Sequence, residues 1–166
     1  MDYIIRDIKV TEIPLLNDFL YEAIFIPEGM DAPPKAIINS AELQVYVSDF
    51  GMQKHDRALI AEADGKAVGA VWVRIMNDYG HVDEDTPSFA ISLYKEYRGL
   101  GIGTAMMRKM LAILKDCGYK QASLSVQKAN YAVRMYLKVG FEIVSENEEE
   151  YIMIARLSGC QPKAAE

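Results

Sequence analysis

The sequence predicts one α/β domain built on a mixed central sheet. Three features lead there. Short alternating apolar stretches give way near residue 102 to a 3.6-residue apolar repeat, and strand-like stretches then return. Two strand-like runs flank Asp64-Gly65, a strong hairpin dipeptide, so part of the sheet is antiparallel. Strand–helix–strand units follow, and such crossovers join parallel strands.

Taken in order, Ile4, Ile8 and Val10 alternate with polar residues, which predicts a strand over residues 3–10. Thr11 can cap a helix with Glu12 and Pro14 in its first turn and an apolar stripe of Leu15, Leu16, Phe19, Leu20 and Ala23. The proline- and glycine-rich stretch 26–34 breaks it, and a weaker helix is expected over residues 35–47. Strands are expected at 57–63, 66–76 and 88–94, with an acidic loop at 77–86 before the third. Ile102, Met106, Met110, Ile113, Leu114 and Cys117 mark one face of a long helix, and Gly118 ends it. A strand at 119–126 leads to a short helix capped by Asn130 and stopped by Gly140. A final pair of strands, 141–144 and 151–157, surrounds the acidic turn 146–150, giving one domain over residues 1–157 and a loose tail at 158–166.

At 166 residues and 51% hydrophobic content the chain can bury an ordinary core without staples, which excludes wholesale disorder. Eighteen Lys and Arg against 24 Asp and Glu give a net charge of −6 and argue against a nucleic-acid binder. Cys117 and Cys160 alone make neither a disulfide scaffold nor a four-ligand zinc site, and only His55 and His81 are available as imidazoles, so no metal is expected. The first residues carry acid where a secretory leader needs base, and no apolar run approaches the roughly 18 residues that span a bilayer. A cytoplasmic protein with no membrane partner is expected.

The stretch Arg98-Gly99-Leu100-Gly101-Ile102-Gly103-Thr104 lies between a strand and the long helix. Glycines at alternate positions remove every Cβ that would hold a ligand off the backbone. The unpaired amides of the helix start then offer a cradle for a pyrophosphate, with Arg98 at its rim. A dinucleotide fingerprint would need glycine at Thr104 or Met106, and a Walker loop would need Gly-Lys-Ser/Thr, so neither fits. About thirty residues on, Asn130, Ala132 and Tyr136 precede Gly140-Phe141, with Ala132 and Tyr136 on one helix face.

Together, and in this order, the two segments resemble the GNAT superfamily of N-acetyltransferases. Arg98-x-x-Gly101-x-Gly103 is similar to that family's pyrophosphate loop, and the Asn130 to Phe141 segment to its downstream motif. The resemblance spans residues 2–157. It implies a mostly antiparallel sheet of about seven strands, splayed into a V-shaped cleft and flanked by about four helices, with acetyl-CoA as cosubstrate. The pantetheine arm would pair with backbone near Ile91 and Leu93, the Leu93 amide would face the thioester oxygen, and Gly99, Gly101, Ile102, Gly103 and Thr104 would hold the pyrophosphate. Many relatives carry proline where this chain has Lys95, so the bend after Tyr94 needs another origin.

Tyr136 matches the residue that protonates the departing thiolate in many relatives, and Asn130 either touches the pantetheine or caps its helix. The resemblance also directs attention to residues 26–30 and 79–85 as the acceptor side, hence to Glu28, Tyr79, His81 and Glu84 as acceptor-binding residues. Glu28, His81, Asp83, Glu84 and Asp85 are candidate bases, and a water relay is the alternative. The acidic rim suits a cationic amine of a small molecule or peptide. No activated cysteine is evident, so direct transfer in a ternary complex is expected. A noncatalytic acyl-CoA sensor, another acyl group and a hydroxyl acceptor stay open, as does a homodimer through the final strands. Trp72, Met106, Met107, Met110 and Cys117 read as packing, Arg108 and Lys109 as a solvated helix face, and residues 146–150 as an exposed turn.

Overall fold

The computed structural model of the protein describes residues 2–157, so Cys160 and the expected tail lie outside the described residues. Seven strands form one sheet: β1 (Tyr3–Asp7), β2 (Arg57–Ala63), β3 (Lys66–Arg74), β4 (Ser88–Leu93), β5 (Gln121–Gln127), β6 (Phe141–Glu146) and β7 (Glu150–Arg156). Their spatial order is β1-β2-β3-β4-β5-β7-β6. Every neighbouring pair is antiparallel except β4 and β5.

Side-chain alternation in β2 and β3 feeds two cores, one on each face of the sheet. Leu59, Ala61, Val71 and Val73 point to the face covered by α3 (Ile102–Asp116) and α4 (Ala132–Val139), where Met106, Met107 and Met110 are fully buried. Ala58, Ile60, Ala70 and Trp72 point to the other face, under α1 (Leu15–Ala23). Burial on both faces explains why β2 and β3 read as nearly unbroken apolar runs. The hairpin between them turns on Asp64 and Gly65, whose φ values of 52° and 75° are those a two-residue primed turn needs.

Several boundaries differ from the sequence expectation. β1 stops at Asp7, and a 3-10 turn at Val10–Glu12 precedes α1, whose N-cap is Pro14 rather than Thr11. The cause is Glu12, which turns back to accept from Lys9 N–H at 2.9 Å and from both Arg6 Nη atoms at 2.8 Å. The segment 35–47 is not one helix but a 3-10 turn at Lys35–Asn39 followed by α2 (Ala41–Gln44). Tertiary ties override its helical pattern: Trp72 Nε1 donates to Tyr46 C=O at 3.0 Å, and Arg74 holds the carbonyls of Val45 and Ser48. Cys117 is exposed rather than packed, because it is the C-cap of α3, where the chain turns away at Gly118 (φ 92°). No helix among the described residues is long and apolar enough to cross a membrane.

Candidate active site

The parallel strands β4 and β5 meet at a single register pair, Ser88 with Ser123, and then part. Their Oγ atoms lie 3.1 Å apart, Ser123 N–H donates to Pro87 C=O at 2.9 Å, and Ser123 Oγ donates to Gly80 C=O at 2.8 Å. Beyond that apex the sheet is a V. A cavity of about 300 Å³ fills it, lined by Phe89, Ala90 and Ile91 on one wall and by Ser125, Val126 and Gln127 on the other.

The backbone of β4 is open on its cleft side. Tyr94 N–H donates to Val68 C=O of β3 at 3.0 Å, so the amides two and four residues earlier also face β3. By the same alternation Ile91 turns its amide and carbonyl, and Leu93 its amide, to the cleft. An extra residue on β3, Val68, bulges the strand just beside Gly69, which lies opposite Leu93. A 3-10 turn at Lys95–Tyr97 follows β4, with Tyr97 N–H donating to Tyr94 C=O at 2.9 Å. That turn, not a proline, makes the bend.

Beyond the bend, Gly99 and Gly101 take left-handed φ values of 75° and 88°, open only to glycine without strain. The first bond of α3 runs from Ala105 N–H to Gly101 C=O at 3.1 Å, and no side chain caps the helix. The amides of Ile102, Gly103 and Thr104 are therefore unbonded beside an exposed glycine loop, an anion site in its chemistry. Arg98 turns inward instead of standing at the rim. Its Nε donates to Leu93 C=O at 2.9 Å, and its Nη2 to the Glu22 carbonyl and carboxylate, both at 3.2 Å.

Across the cleft, Asn130 Oδ1 accepts from Ala132 N–H at 2.9 Å and so satisfies one orphan donor of α4. Tyr136, one turn further, reaches the cavity with its ring edge-on to Phe141 at 6.1 Å between centroids. Withdrawal from water pushes its phenol up to about 12.

An acetyltransferase (GNAT) family model matches residues 22–141, most of the chain. The chain belongs to the GNAT acetyltransferase family. It is 31% identical over 140 residues to an uncharacterised N-acetyltransferase of Mycobacterium tuberculosis, covering 79% of this chain and 84% of that protein. It is 29% identical over 114 residues to an N-alpha-acetyltransferase of Sulfurisphaera tokodaii, covering 59% and 68%. Its fold is similar to that of the PaiA N-acetyltransferase of Thermoplasma acidophilum in complex with coenzyme A, with a TM-score of 0.70, 19% identity and coverage of 94% and 99%. The seven-stranded, mostly antiparallel sheet with four helices is the GNAT fold, and acyl transfer to an amine is the family's general reaction.

On the acceptor side of this GNAT chain, the residues expected from the sequence do not line the cleft. Glu28 and Tyr79 are exposed, and His81 pairs with the exposed Glu84 at 3.2 Å. Asp83 accepts from Asp85 N–H and Thr86 Oγ1, both at 2.8 Å, bonds that hold its carboxyl below the usual range. Asp83 and Asp85 belong to a separate groove of about 660 Å³ with His55, Cys117 and Tyr119, at the opposite end of β2 and α3. The cleft is closed instead by Leu20 and Ala23 of α1, Leu43 of α2, Tyr46 in the turn after it, and Glu150 at the start of β7. Sequence reasoning missed Tyr46, Asp78 and Glu150. Tyr46 and Asp78 are 32 residues apart and meet only in the fold, whereas Glu150 hides in the acidic stretch 146–150. Asn147 is the one local signal there: its Oδ1 accepts from the amides of Glu149 and Glu150 at 2.8 and 2.7 Å, which makes Glu150 the first strand residue.

Proposed function

We propose that this chain is an N-acetyltransferase that moves the acetyl group of acetyl-CoA to a primary amine by direct attack in a ternary complex. The observation that carries the reading is the juxtaposition of two unfilled hydrogen-bonding surfaces. The open edge of β4 at Ile91 and Leu93 can take an extended amide-bearing arm as an added strand, and the uncapped start of α3 can take a pyrophosphate. In this reading the amides of Gly99, Gly101, Ile102, Gly103 and Thr104 hold the phosphates, and Asn130 faces the arm from the turn before α4. Acetyl-CoA supplies an acyl group already activated as a thioester.

The chain's own residues then do the rest. Leu93 N–H donates to the carbonyl oxygen as negative charge builds there, a preorganised oxyanion donor. Tyr136 stays neutral at pH 7 and donates to the departing sulfur. A thiol near 8.5 against a phenol near 12 makes complete proton transfer uphill by about 5 kcal/mol. Tyr136 therefore acts mainly as a hydrogen-bond donor to the developing thiolate. Tyr136→Phe is expected to lower kcat about 10- to 100-fold while leaving the Kd of acetyl-CoA within about 3-fold. An unchanged kcat removes the role.

Arg98 supports the same geometry from behind. Arg98→Lys keeps the charge and loses the Nε–H that braces Leu93 C=O. Steady-state kinetics are expected to show kcat reduced about 10-fold and the KM for acetyl-CoA nearly unchanged. A rise in that KM alone identifies Arg98 as a phosphate ligand. The activity itself is tested by incubating the protein with acetyl-CoA and a panel of primary amines, reading free CoA and product mass. CoA binding without thiol release for any acceptor overturns the catalytic reading.

A further inference from the structure

Glu150 lines the cleft, and its carboxylate has no hydrogen bond or ion pair among the described residues. Lys128, just past the end of β5, is bound to Glu146 and lies 5.3 Å from the centre of the Tyr151 ring. The other groups facing Glu150 are neutral or acidic. Gln127 is its partner on β5, Glu149 precedes it, and Tyr46, in the turn after α2, and Tyr136 on α4 face it across the cavity. Behind Tyr46 stands Asp78, whose Oδ2 accepts from the Tyr46 hydroxyl at 3.1 Å and whose Oδ1 accepts from Ser88 Oγ at 3.4 Å. An unpaired carboxylate at a partly dry wall, backed by a second one, lacks only a cation.

We propose that Glu150 anchors the ammonium group of the acceptor and takes its proton, with the Tyr46–Asp78 pair facing it across the cleft. The assignment rests on the acetyltransferase reading above and deepens it: the acceptor is a primary alkylammonium with an apolar stem, which Leu20, Ala23, Ile24 and Phe25 can receive. The steps balance. An N–H bond of the ammonium breaks as an O–H bond forms on Glu150, and the freed nitrogen lone pair forms the C–N bond to the acyl carbon. As the C–S bond breaks, a second nitrogen proton ends on sulfur, and Glu150 releases its own to solvent. Burial, then the charges of Glu149 and Asp78, raise the proton affinity of Glu150 above that of an ordinary carboxylate, as a base for this task needs.

The test pairs kinetics with two readouts that do not depend on turnover. Glu150→Gln is expected to lower kcat/KM for n-butylamine at pH 7 at least about 50-fold and to leave the Kd of acetyl-CoA unchanged. The wild-type acid limb of kcat/KM, set by deprotonation of Glu150, is expected to vanish in the variant. Because the folded carboxyl has the higher pKa, its contribution to stability is present at low pH and lost as pH rises through that pKa. Removing the charge is therefore expected to hold Tm or raise it by about 1–3 °C at pH 7, the opposite of losing a structural contact. In protein carrying 13C-labelled glutamate, n-butylammonium chloride is expected to shift the Glu150 carboxyl resonance saturably, and n-butanol is not. Wild-type kinetics and a wild-type acid limb in Glu150→Gln overturn the proposal. If the protein acetylates no amine, the acetyltransferase reading fails, and the carboxyl titration alone decides whether Glu150 binds an ammonium group.

Discussion

Gly69→Ala is expected to reduce kcat about 100-fold while costing about 1–3 kcal/mol of stability. A Cβ built on Gly69 stands 2.4 Å from Leu93 Cδ2 and 2.9 Å from Ser92 C=O. The leucine methyl can rotate away; the carbonyl belongs to β4 and moves only if the strand moves. The substitution therefore pushes the proposed oxyanion donor off its line at the position where β3 already carries a bulge. Burst and steady-state kinetics, read beside acetyl-CoA binding and a thermal melt, separate the two effects. A variant with lowered Tm but full kcat shows that Leu93 N–H tolerates displacement and is not the donor.

Arg74→Met is expected to be the most damaging substitution for the fold, at about 3–5 kcal/mol, or a fall in Tm of roughly 10–15 °C. Arg74 and Asp56 are both buried, their side chains 2% and 0% exposed, and joined by two contacts of 3.1 Å. Arg74 Nη1 also donates to Val45 C=O at 3.1 Å and Ser48 C=O at 2.8 Å, while Asp56 accepts from the amides of Gly51 and Gln53. Removing the guanidinium leaves a carboxylate in the core without its counter-charge. The same loss frees the carbonyls on either side of Tyr46, so acceptor KM is expected to rise in the variant that survives. The double variant Arg74→Met with Asp56→Leu is expected to recover much of the stability, because the cost lies in the unpaired charge. A single-variant loss below about 1 kcal/mol in chemical denaturation rules out that account.

The parts of the molecule that were legible in the sequence are those whose physics is local. Alternation in β2 and β3, the primed turn at Asp64-Gly65 and the left-handed glycines of the loop before α3 are each decided by a few adjacent residues. So is the Asn130 cap. Residues 35–47 carry a helical pattern locally, but Trp72 and Arg74, about thirty residues away, set the backbone there. Arg98 announced a charge but not its direction, and the carbonyl it braces lies five residues upstream at the end of β4. The cleft carboxylate was hardest. Glu150 stands in a run of acids, and only the pairing of β7 with β5 turns it from an exposed turn residue into a wall of the cavity.

The one-residue apex between Ser88 and Ser123 makes the sheet two separate slabs, four strands on one side and three on the other. The apex supplies little of the ladder that would normally weld such slabs together. In the proposed reading a ligand lying along β4 fills that gap as mortar does, so part of the stability of the bound protein comes from solution rather than from the chain. At a hundred times its dissociation constant such a ligand adds about 2.7 kcal/mol. In the proposed acetyl-CoA reading, the architecture couples how well the protein survives to how much thioester surrounds it.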